Sequence, residues 1–336
     1  MLDLSGKCAL PPAPPGVTWR YLTPKDAPHL NELIRRIEHV DNPPYRSSWQ
    51  DVTRFFDPES VWAGIGAIDH QGAIRAFGHL RIRRGSAADI VCHGGVDPTW
   101  RGRGLGRYSL MWQTEASEII LHTLEGQRRI CIYVEDTDED LIQHLDVLGY
   151  VRDKTYVELV RMLDKTSVAS AVARQSKDDP FTVVVPWDPE LSEEVRLAAN
   201  RMAGDEVQWS SEDWKRGWEH FAEDASFLLL DKQTDRSRIV GYVATSIYPQ
   251  DFDVLGRRQG SIDLLGIDSD YLQHFAFMME HVVAAYMAKG FDAVGVSADG
   301  DVEKGELELY RDCGFSISST SHLYVKSLDL VNYPFG

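Results

Sequence analysis

The stretch from Asp89 to Gly106 holds the most specific chemistry in this chain. It contains three glycines in alternate positions, interleaved with arginines, just before a segment of helical periodicity. Glycines leave backbone N–H groups uncovered, and such groups at the start of a helix bind anions such as phosphate. The pattern therefore predicts a site for a pyrophosphate or a similar anion. The glycines are Gly102, Gly104 and Gly106, and the arginines are Arg101, Arg103 and Arg107.

The elements around this segment are the ones that such a site needs. The apolar run Ile90–Cys92 predicts a strand, and Gly94 and Gly95 favour a bulge or the close approach of another group. Pro98 cannot donate to a ladder and so ends the strand. A helical pattern then runs from Arg107 to about residue 124. The glycines thus lie between a strand and the start of a helix.

The spacing distinguishes between anion-binding motifs. Arg107 stands where the dinucleotide fingerprint has its third glycine, and no Lys-Ser or Lys-Thr follows as in a P-loop. The segment resembles motif A of the Gcn5-related N-acetyltransferases (GNAT), Val-x-Pro-x-x-Arg-Gly-x-Gly-Leu-Gly. The residues that match are Val96, Pro98, Arg101, Gly102, Gly104, Leu105 and Gly106. The resemblance implies an α/β fold (α+β, with a mixed sheet) that uses acetyl-CoA to acetylate an amine.

The resemblance also implies roles for the strand and the loop. The pantetheine arm of acetyl-CoA is expected along Cys92–Val96, beside Gly95 and Val96, with the N–H of Val96 or a neighbour facing the thioester oxygen. The pyrophosphate is expected on the loop and the helix start. The residues of that second region are Arg101, Gly102, Arg103, Gly104, Leu105, Gly106 and Arg107.

Three residues are candidates for the base that deprotonates the amine. Asp89 and His93 fall on one face of a regular strand, and the ordinary pKa of histidine suits neutral pH. Glu135 ends the next strand, and in the family these two strands splay around the reacting atoms. The resemblance implies a base among the three and leaves the choice open.

The length and an internal repeat predict two domains. The chain has 336 residues, and its second half repeats the element order of the first. Gly126 corresponds to Gly290 and Gly149 to Gly314, at offsets of 164 and 165 residues, which indicates a duplicated domain. The predicted limits are a Pro-rich arm at 1–16, a GNAT domain with the intact motif at 17–163, a linker at 164–180 and a degenerate GNAT-like domain at 181–328. The resemblance is thus to the tandem type of the family.

The two copies differ in the residues that would do chemistry. The counterpart of the glycine segment, residues 267–277, has no glycine, and Phe275 and Phe277 add bulk where a pyrophosphate needs bare backbone. We expect the second copy to have lost the acetyl-CoA site. GNAT enzymes often place a tyrosine general acid four residues before a Gly-Phe pair. The second copy has this residue, Tyr310, whereas the first has Leu145.

Composition narrows the function further. A net charge of −17 argues against nucleic-acid binding and is compatible with a cationic substrate. The four cysteines lie far apart, which predicts no disulfide framework, no zinc site and a reducing cytoplasm. No apolar run approaches the ~18 residues of a membrane span, and the N-terminal residues lack the pattern of a secretory signal. Neither a membrane nor a particular oligomeric state is indicated.

The prediction is therefore an acetyl-CoA-dependent N-acetyltransferase that acts on a primary amine of a small molecule by direct attack with a general base. One alternative is acetylation of a protein amine, which needs an open groove for a peptide. Another is a non-catalytic acyl-CoA-binding or scaffold protein, which Leu145 favours. Residues expected to shape an acceptor pocket, or else to pack, are His39, Asp41, Tyr45, Trp49 and Trp62.

Overall fold

The structure is a computed structural model that describes residues 2, 4, 6–83, 88–124, 128–164, 181–204, 208–216, 218–233, 238–301 and 304–328. These residues form two compact units. The first contains residues 1–154 and the last strand from Ser321, and the second contains residues 155–320. Apart from Asp164, the predicted linker lies outside the described residues, and so does Gly126, one of the residues that mark the internal repeat.

The first unit is a mixed sheet with helices on both of its faces. Its strands follow the order β1-β2-β3-β4-β5-β12, in which only β4 and β5 are parallel neighbours. The strands are β1 (Val17–Tyr21), β2 (Trp62–Asp69), β3 (Ile74–Arg83), β4 (Ala88–Val96), β5 (Arg128–Glu135) and the second part of β12 (Ser316–Ser327). The helices are α1 (Ala27–Asp41), α2 (Trp49–Arg54), α3 (Leu105–Leu121) and α4 (Glu139–Val147). The mixed α/β fold predicted from the sequence is confirmed.

Local capping explains where the first two helices begin. The N–H of Thr23 donates to Asp26 at 2.8 Å, and this box closes a one-turn helix that leads into α1. Asn42, with φ of 48°, ends α1 in the left-handed region that asparagine tolerates. Ser48 caps α2 through its hydroxyl oxygen, which accepts from the Asp51 N–H at 3.1 Å.

The Pro-rich arm packs against this unit. The N–H of Leu2 donates to the Trp62 carbonyl at 2.7 Å, and the Tyr21 hydroxyl donates to the Cys8 carbonyl at 3.1 Å. Leu4 and Cys8 are buried with the core that lies between the sheet and α3. The arm therefore covers β1 and β2 rather than extending away from them.

The second unit repeats the plan. Its strands follow the order β6-β11-β10-β9-β8-β7, with β10 and β11 parallel. The strands are β6 (Val151–Met162), β7 (Thr182–Pro186), β8 (Phe227–Asp231), β9 (Arg238–Ile247), β10 (Gln259–Ile267) and β11 (Ala293–Asp299). The helices are α5 (Ser192–Ala203), α6 (Ser211–Arg216), α7 (Phe252–Leu255), α8 (Phe275–Ala288) and α9 (Lys304–Asp312). No helix in the described part of the chain is long and apolar enough to cross a membrane.

The last strand of each sequence half pairs outside its own half. Residues Ser321–Ser327 of β12 pair antiparallel with β5, whereas β6 pairs antiparallel with β11. The limits predicted from the sequence, 17–163 and 181–328, assign β6 to the first domain and β12 to the second. As limits of segments that fold on their own, they stay a prediction.

Candidate functional site

The parallel strands at the centre of the first unit diverge. β4 and β5 pair from Ala88 with Arg128 to Val91 with Cys131, and the ladder between the described residues ends there. The remaining parts of the strands, 92–96 and 132–135, border an open wedge. Backbone groups on the sides of such a wedge can pair with an extended ligand in place of a strand.

The strand register shows which groups of β4 face the wedge. The register of β3 with β4 is constant along the whole pair. The N–H of Ile82 on β3 donates to the Val61 carbonyl at 2.9 Å, so Ile82 and its cross-strand partner Ile90 both turn away from their shared ladder. Because alternate residues face the same neighbour, the N–H groups of Gly94 and Val96 also turn away from β3 and into the wedge.

The two glycines of β4 permit close packing by protein atoms. The constant register excludes a bulge at this place, which was one of the two predicted explanations. A Cβ on Gly94 would lie 3.4 Å from Gln113 Oε1, and a Cβ on Gly95 would lie only 2.7 Å from Ile37 Cδ1. Helices therefore approach this strand closely on both faces.

A buried amide fixes α3 to the strands. Gln113 Nε2 donates to the carbonyl oxygens of His79 at 2.9 Å and His93 at 2.8 Å. One turn earlier, Ser109 Oγ donates to the Phe77 carbonyl at 2.9 Å. These bonds hold the start of α3 beside the wedge end of β4.

The loop between β4 and α3 leaves a helix start uncovered. Gly102 and Gly104 have φ of 72° and 81°, a region that glycine enters without strain. Gly104 is the N-cap of α3 and has no side chain with which to accept from the first turn. The N–H groups of Leu105, Gly106 and Arg107 therefore have neither an intrahelical partner nor a capping side chain. They form an anion cradle, defined here as residues 101–107.

Gly106 has no packing reason to be glycine. A Cβ there would meet only Val96 Cγ2, at 3.4 Å, which is an ordinary contact. Glycine inside a helix costs roughly 1 kcal/mol relative to alanine, and the described neighbours do not require it. Bare backbone at this position is what a bound phosphate would need.

The three arginines of the cradle make different contacts. Arg101 makes a two-bond ion pair with Asp41, the last residue of α1, at 2.7 and 2.6 Å. The guanidinium of Arg103 lies 4.3 Å from the centre of the Trp100 ring. Arg107 is exposed on the first turn of α3. Arg101 is thus paired within the protein, and the presence of all three arginine side chains near a phosphate stays a prediction.

Asp97 anchors the loop, and the sequence analysis did not single it out. Its carboxylate is 1% exposed and accepts from Arg36, from Arg75 and from both the N–H and the hydroxyl of Thr99, at 2.7–3.0 Å. Burial alone would raise the pKa of Asp97, but these hydrogen bonds outweigh it and hold the pKa below its usual value. The available signal was an acidic residue directly before Pro98 at the end of an apolar strand.

His93 lies beside the wedge on the face of β4 opposite α3. Its ring is 5.3 Å from that of Phe55, and its cross-strand partner His79 stacks on the same phenyl ring at 4.7 Å. Burial, and then the charge of Arg81, lowers the pKa of His93 to about 4. Burial also lowers the pKa of His79 to about 3. Both imidazoles are therefore neutral at pH 7.

Asp89 lies away from the wedge. Arg129 donates to both of its carboxylate oxygens, at 2.8 and 2.6 Å, where β4 and β5 are still paired. Five residues of strand, about 16 Å, separate Asp89 from Gly94. The structure thus does not bring this candidate base to the other predicted residues, because a cross-strand arginine occupies its carboxylate.

Glu135 lies at the end of β5, on the far side of the wedge. Partial burial, followed by the charges of Glu135 and Glu38, raises the pKa of Tyr45, so the connection between α1 and α2 approaches this strand end. Tyr133, two residues before Glu135 and on the same face, is 42% exposed. Sequence reasoning missed Tyr133, although its two-residue spacing from Glu135 was the signal.

The residues predicted to shape an acceptor pocket also differ in their burial and contacts. Trp62 is 1% exposed and its ring lies 5.6 Å from that of His79, so it belongs to the core. Asp41 is taken by its ion pair with the cradle. Tyr45 and Trp49 are 53% and 47% exposed at the connection between α1 and α2. Those two, together with His39, which is exposed near the end of α1, remain available to a ligand.

Leu145 of α4 stands at the position of the family's tyrosine general acid. Leu145 is fully buried in the core. The nearby Tyr150 hydroxyl is buried and lies 2.9 Å from Thr114 Oγ1, where it faces helix rather than wedge. In the second unit, Tyr310 packs edge-on against Phe275 and Phe315, at ring distances of 5.1 and 5.9 Å.

The segment that leads from the central strand to the next helix, called the crossing here, is built differently in the second unit. β10 and β11 also pair only briefly, from Gln259 to Ile262 of β10. None of residues 267–277 has a positive φ. The ring of Phe275 is buried at the first position of α8. Asp268, which precedes the helix, accepts from Arg201 at 3.3 Å and Arg238 at 2.8 Å. At this crossing, a carboxylate and a buried ring therefore occupy the positions that the glycine cradle has in the first unit.

Comparison with solved structures identifies the fold. A GCN5-related N-acetyltransferase from Sphaerobacter thermophilus matches with a TM-score of 0.72 and 19% identity, over 94% of this chain and 97% of that one. A tandem GNAT protein of the clavulanic acid biosynthesis pathway matches with a TM-score of 0.66 and 13% identity, over 93% and 98%. A glucosamine N-acetyltransferase region of a fungal multi-domain β-N-acetylglucosaminidase matches with a TM-score of 0.68 and 15% identity, over 94% of this chain and 38% of that one.

These likenesses are structural. No protein-family model matches the chain, and no curated protein matches it by sequence. The matches cover nearly the whole chain, including both units. The fold expected from motif A and from the internal repeat is therefore confirmed.

Proposed function

We propose that this chain, which has the fold of tandem GNAT proteins, transfers an acetyl group from acetyl-CoA to a primary amine of a small molecule, and that the first unit does the chemistry. The observation that carries the proposal is the uncovered start of α3. Gly106 keeps bare backbone there without any packing requirement. The wedge beside it offers the N–H groups of Gly94 and Val96 to an extended ligand.

In this proposal, the cofactor lies along these features. The pyrophosphate would accept from the N–H groups of Leu105, Gly106 and Arg107, with the Arg107 side chain adding charge. The pantetheine arm would lie along Cys92–Val96, where β5 has diverged. An N–H of Gly94 or Val96 would then donate to the thioester oxygen and stabilise the negative charge that develops during attack.

The proton of the ammonium needs an acceptor near the thioester. We assign this role to His93, because its imidazole is neutral at pH 7 and adjoins Gly94. Glu135, across the wedge, is the second candidate. Asp89 is excluded from the proposal, since Arg129 holds its carboxylate. After the amine attacks the carbonyl and the tetrahedral intermediate collapses, the thiolate leaves and takes a proton from water, because Leu145 supplies none.

The charge distribution supports a cationic amine. The carboxylates of Glu38 and Glu135 both act on Tyr45 beside the wedge, and the whole chain carries a charge of −17. A negative field attracts an ammonium ion and speeds its encounter. The fungal region named a glucosamine N-acetyltransferase indicates that this fold serves small amines elsewhere.

The compartment is part of the proposal. All four cysteines are free and buried. Burial, as the leading cause, raises the pKa of Cys8 and Cys313 to about 11 and that of Cys92 and Cys131 to about 12. Protonated thiols of this kind persist in a reducing cytoplasm.

A second candidate function is acyl-CoA binding without catalysis, which the buried Leu145 favours. Titration with acetyl-CoA and a thiol-release screen over small amines decide between the two. We expect one acetyl-CoA per chain and release of free CoA with at least one amine. One cofactor bound without turnover by any small amine or peptide amine would favour the non-catalytic alternative. Two equivalent cofactor sites would contradict the division between the units.

A further inference from the structure

The second unit contains a small cavity of about 170 Å³ lined by aromatic rings and carboxylates. Its walls come from α6, from the residues on either side of that helix and from β9 and β10. The principal lining residues are Trp209, Asp213, Trp214, Trp218, Phe221 and Asp263. None of the residues that line the cavity is lysine or arginine.

The aromatic rings stand nearly at right angles to one another. Trp218 lies 5.1 Å from Trp214 at 72° and 4.4 Å from Phe221 at 79°. Trp209 lies 6.1 Å from Trp214 at 67°. Each of these pairs packs edge to face, and all four rings line the same cavity. The face of an indole attracts cations, and tryptophan does so more strongly than the other aromatic side chains.

The two carboxylates give the mouth of the cavity its charge. Asp263 is exposed and is the extra residue of a β-bulge, because the register of β10 with β9 shifts between Ile262 and Leu264. The Tyr248 hydroxyl donates to Asp263 at 2.7 Å and orients it. Asp213, also exposed, accepts from Ser210 at 2.6 Å. Both contacts are with neutral hydroxyls, and neither carboxylate has an ion pair among the residues that the structure describes.

An unsatisfied donor adds a second requirement. Trp218 Nε1 is buried and has no hydrogen-bond partner among the described residues. Buried donors without partners are uncommon in native proteins and call for a water or a ligand atom. An oxygen beside the cation, such as the hydroxyl of an amino alcohol, would satisfy it.

From this combination we propose that the second unit binds a substituted ammonium ion carrying a short polar substituent. The volume is below the ~300 Å³ of a drug-sized pocket, which suits a small ammonium head group. The site takes no part in the proposed acetyl transfer, because it lies in the unit whose crossing lacks the glycine cradle.

The test uses the full chain with choline as probe and 3,3-dimethylbutan-1-ol as control. The control has the shape of choline but carries no charge. Tryptophan fluorescence or calorimetry should give saturable binding of choline, with the neutral analogue weaker by about tenfold or more. Equal affinity for both compounds, or binding of neither, would overturn the proposal.

Variants locate the site. Asp263→Asn keeps the shape of an exposed side chain and should weaken choline binding several-fold. Its matched control is Asp270→Asn, an exposed residue before α8, which should leave binding unchanged. Trp209→Leu removes one half-buried ring and should also weaken binding. The proposal fails if choline binds to Asp263→Asn and to Trp209→Leu as tightly as it binds to the wild type.

Gly106→Glu alters the cradle of the first unit and should bind choline like the wild type. This result would separate the present proposal from the acetyl-CoA assignment.

Discussion

The two crossings from a central strand to the next helix, 96–107 in the first unit and 267–277 in the second, start from the same architecture and end with opposite surfaces. Both follow a strand that leaves its parallel neighbour after a few residues. The first then exposes uncapped N–H groups beside exposed arginines. The second places Phe275 in the core and a carboxylate, Asp268, before the helix.

The comparison indicates which features depend on packing and which depend on a ligand. The diverging strands persist in both copies, because the apolar face of each strand still packs against its helix. The glycines of the cradle add no side chain to that packing, and only the copy proposed to bind the cofactor has them. A fold can thus be kept by hydrophobic pattern while a site depends on a few backbone positions.

The largest expected effect comes from placing the same carboxylate at equivalent positions of the two helices. Gly106 and Ala276 are each the second residue of their helices, and both are exposed. Gly106→Glu should weaken acetyl-CoA binding by about 100-fold or more, because a carboxylate would face the pyrophosphate. Ala276→Glu should leave the affinity unchanged. Calorimetry on variants with wild-type circular dichroism measures both, and a similar loss in the two would refute the assignment of the site to the first unit.

The second prediction separates the two strand residues first considered as bases. His93→Gln should keep acetyl-CoA affinity and lower turnover by roughly 10²–10⁴-fold, the usual contribution of a positioned base. Asp89→Asn should leave turnover per folded molecule nearly unchanged, since its role is to pair with Arg129.

The pH profile provides a further readout for His93. In the wild type, the acid limb of kcat/KM that reports the base should lie near pH 4, where the pKa of His93 lies. If the His93→Gln enzyme retains full activity and Glu135→Gln loses it, Glu135 is the base.

Third, loss of the buried carboxylate of Asp97 should destabilise the protein more than loss of the exposed ion pair between Asp41 and Arg101. Asp97→Asn removes a charge that faces both Arg36 and Arg75, and should lower the free energy of unfolding by about 2–3 kcal/mol. Asp41→Asn breaks a pair whose side chains are 39% and 44% exposed, which is worth ~1 kcal/mol or less. Urea denaturation of the two variants compares them, and equal losses would contradict the role given to Asp97.

Fourth, the first unit should be sensitive to acid. The pKa values of His79 and His93 are about 3 and 4 when folded, below the ordinary value of 6.5. The unfolded chain therefore binds more protons between those values, so stability is complete above pH 6.5 and falls as the pH drops toward 4. The loss should be on the order of several kcal/mol once both histidines are charged.

A second stage should follow below about pH 4, where protonation of Asp97 removes the stability tied to its lowered pKa.

Hydrogen exchange between pH 7 and pH 4 tests the first stage and should show protection falling first in residues 17–154. Earlier loss in the second unit would contradict this assignment.

The smallest expected effect concerns the tyrosine that matches the family's general acid. Tyr310 packs against Phe275 and Phe315, so its ring has a structural role in the second unit. Tyr310→Phe keeps the ring and should change turnover by less than about twofold, since no acid function is assigned to its hydroxyl. An inactive but folded variant would make the second unit catalytic and reverse the proposed division.

The sequence by itself determined the features that depend on local backbone chemistry. Gly102 and Gly104 adopt left-handed conformations, which glycine enters without strain, and Pro98, which cannot donate to a ladder, follows the end of β4. The duplicated order of strands and helices was visible because apolar periodicity is a local property. The cradle and the fold were therefore predictable.

Tertiary structure alone decided which charged groups remain open to a ligand. Arg101 meets Asp41 across 60 residues, and Arg129 meets Asp89 across 40. No sequence pattern indicates such partners, because each residue is equally suited to a ligand or to an ion pair. The base candidates therefore changed once the ion pairs were known.

The pairing of the last strands was also a tertiary decision. β6 and β12 are both long strands, and either could cover the open side of β5 or of β11. Alternation of side chains specifies which face of a strand is buried but not which neighbour it joins. Only the folded chain shows that β12 completes the ladder beside β5, while β6 pairs with β11.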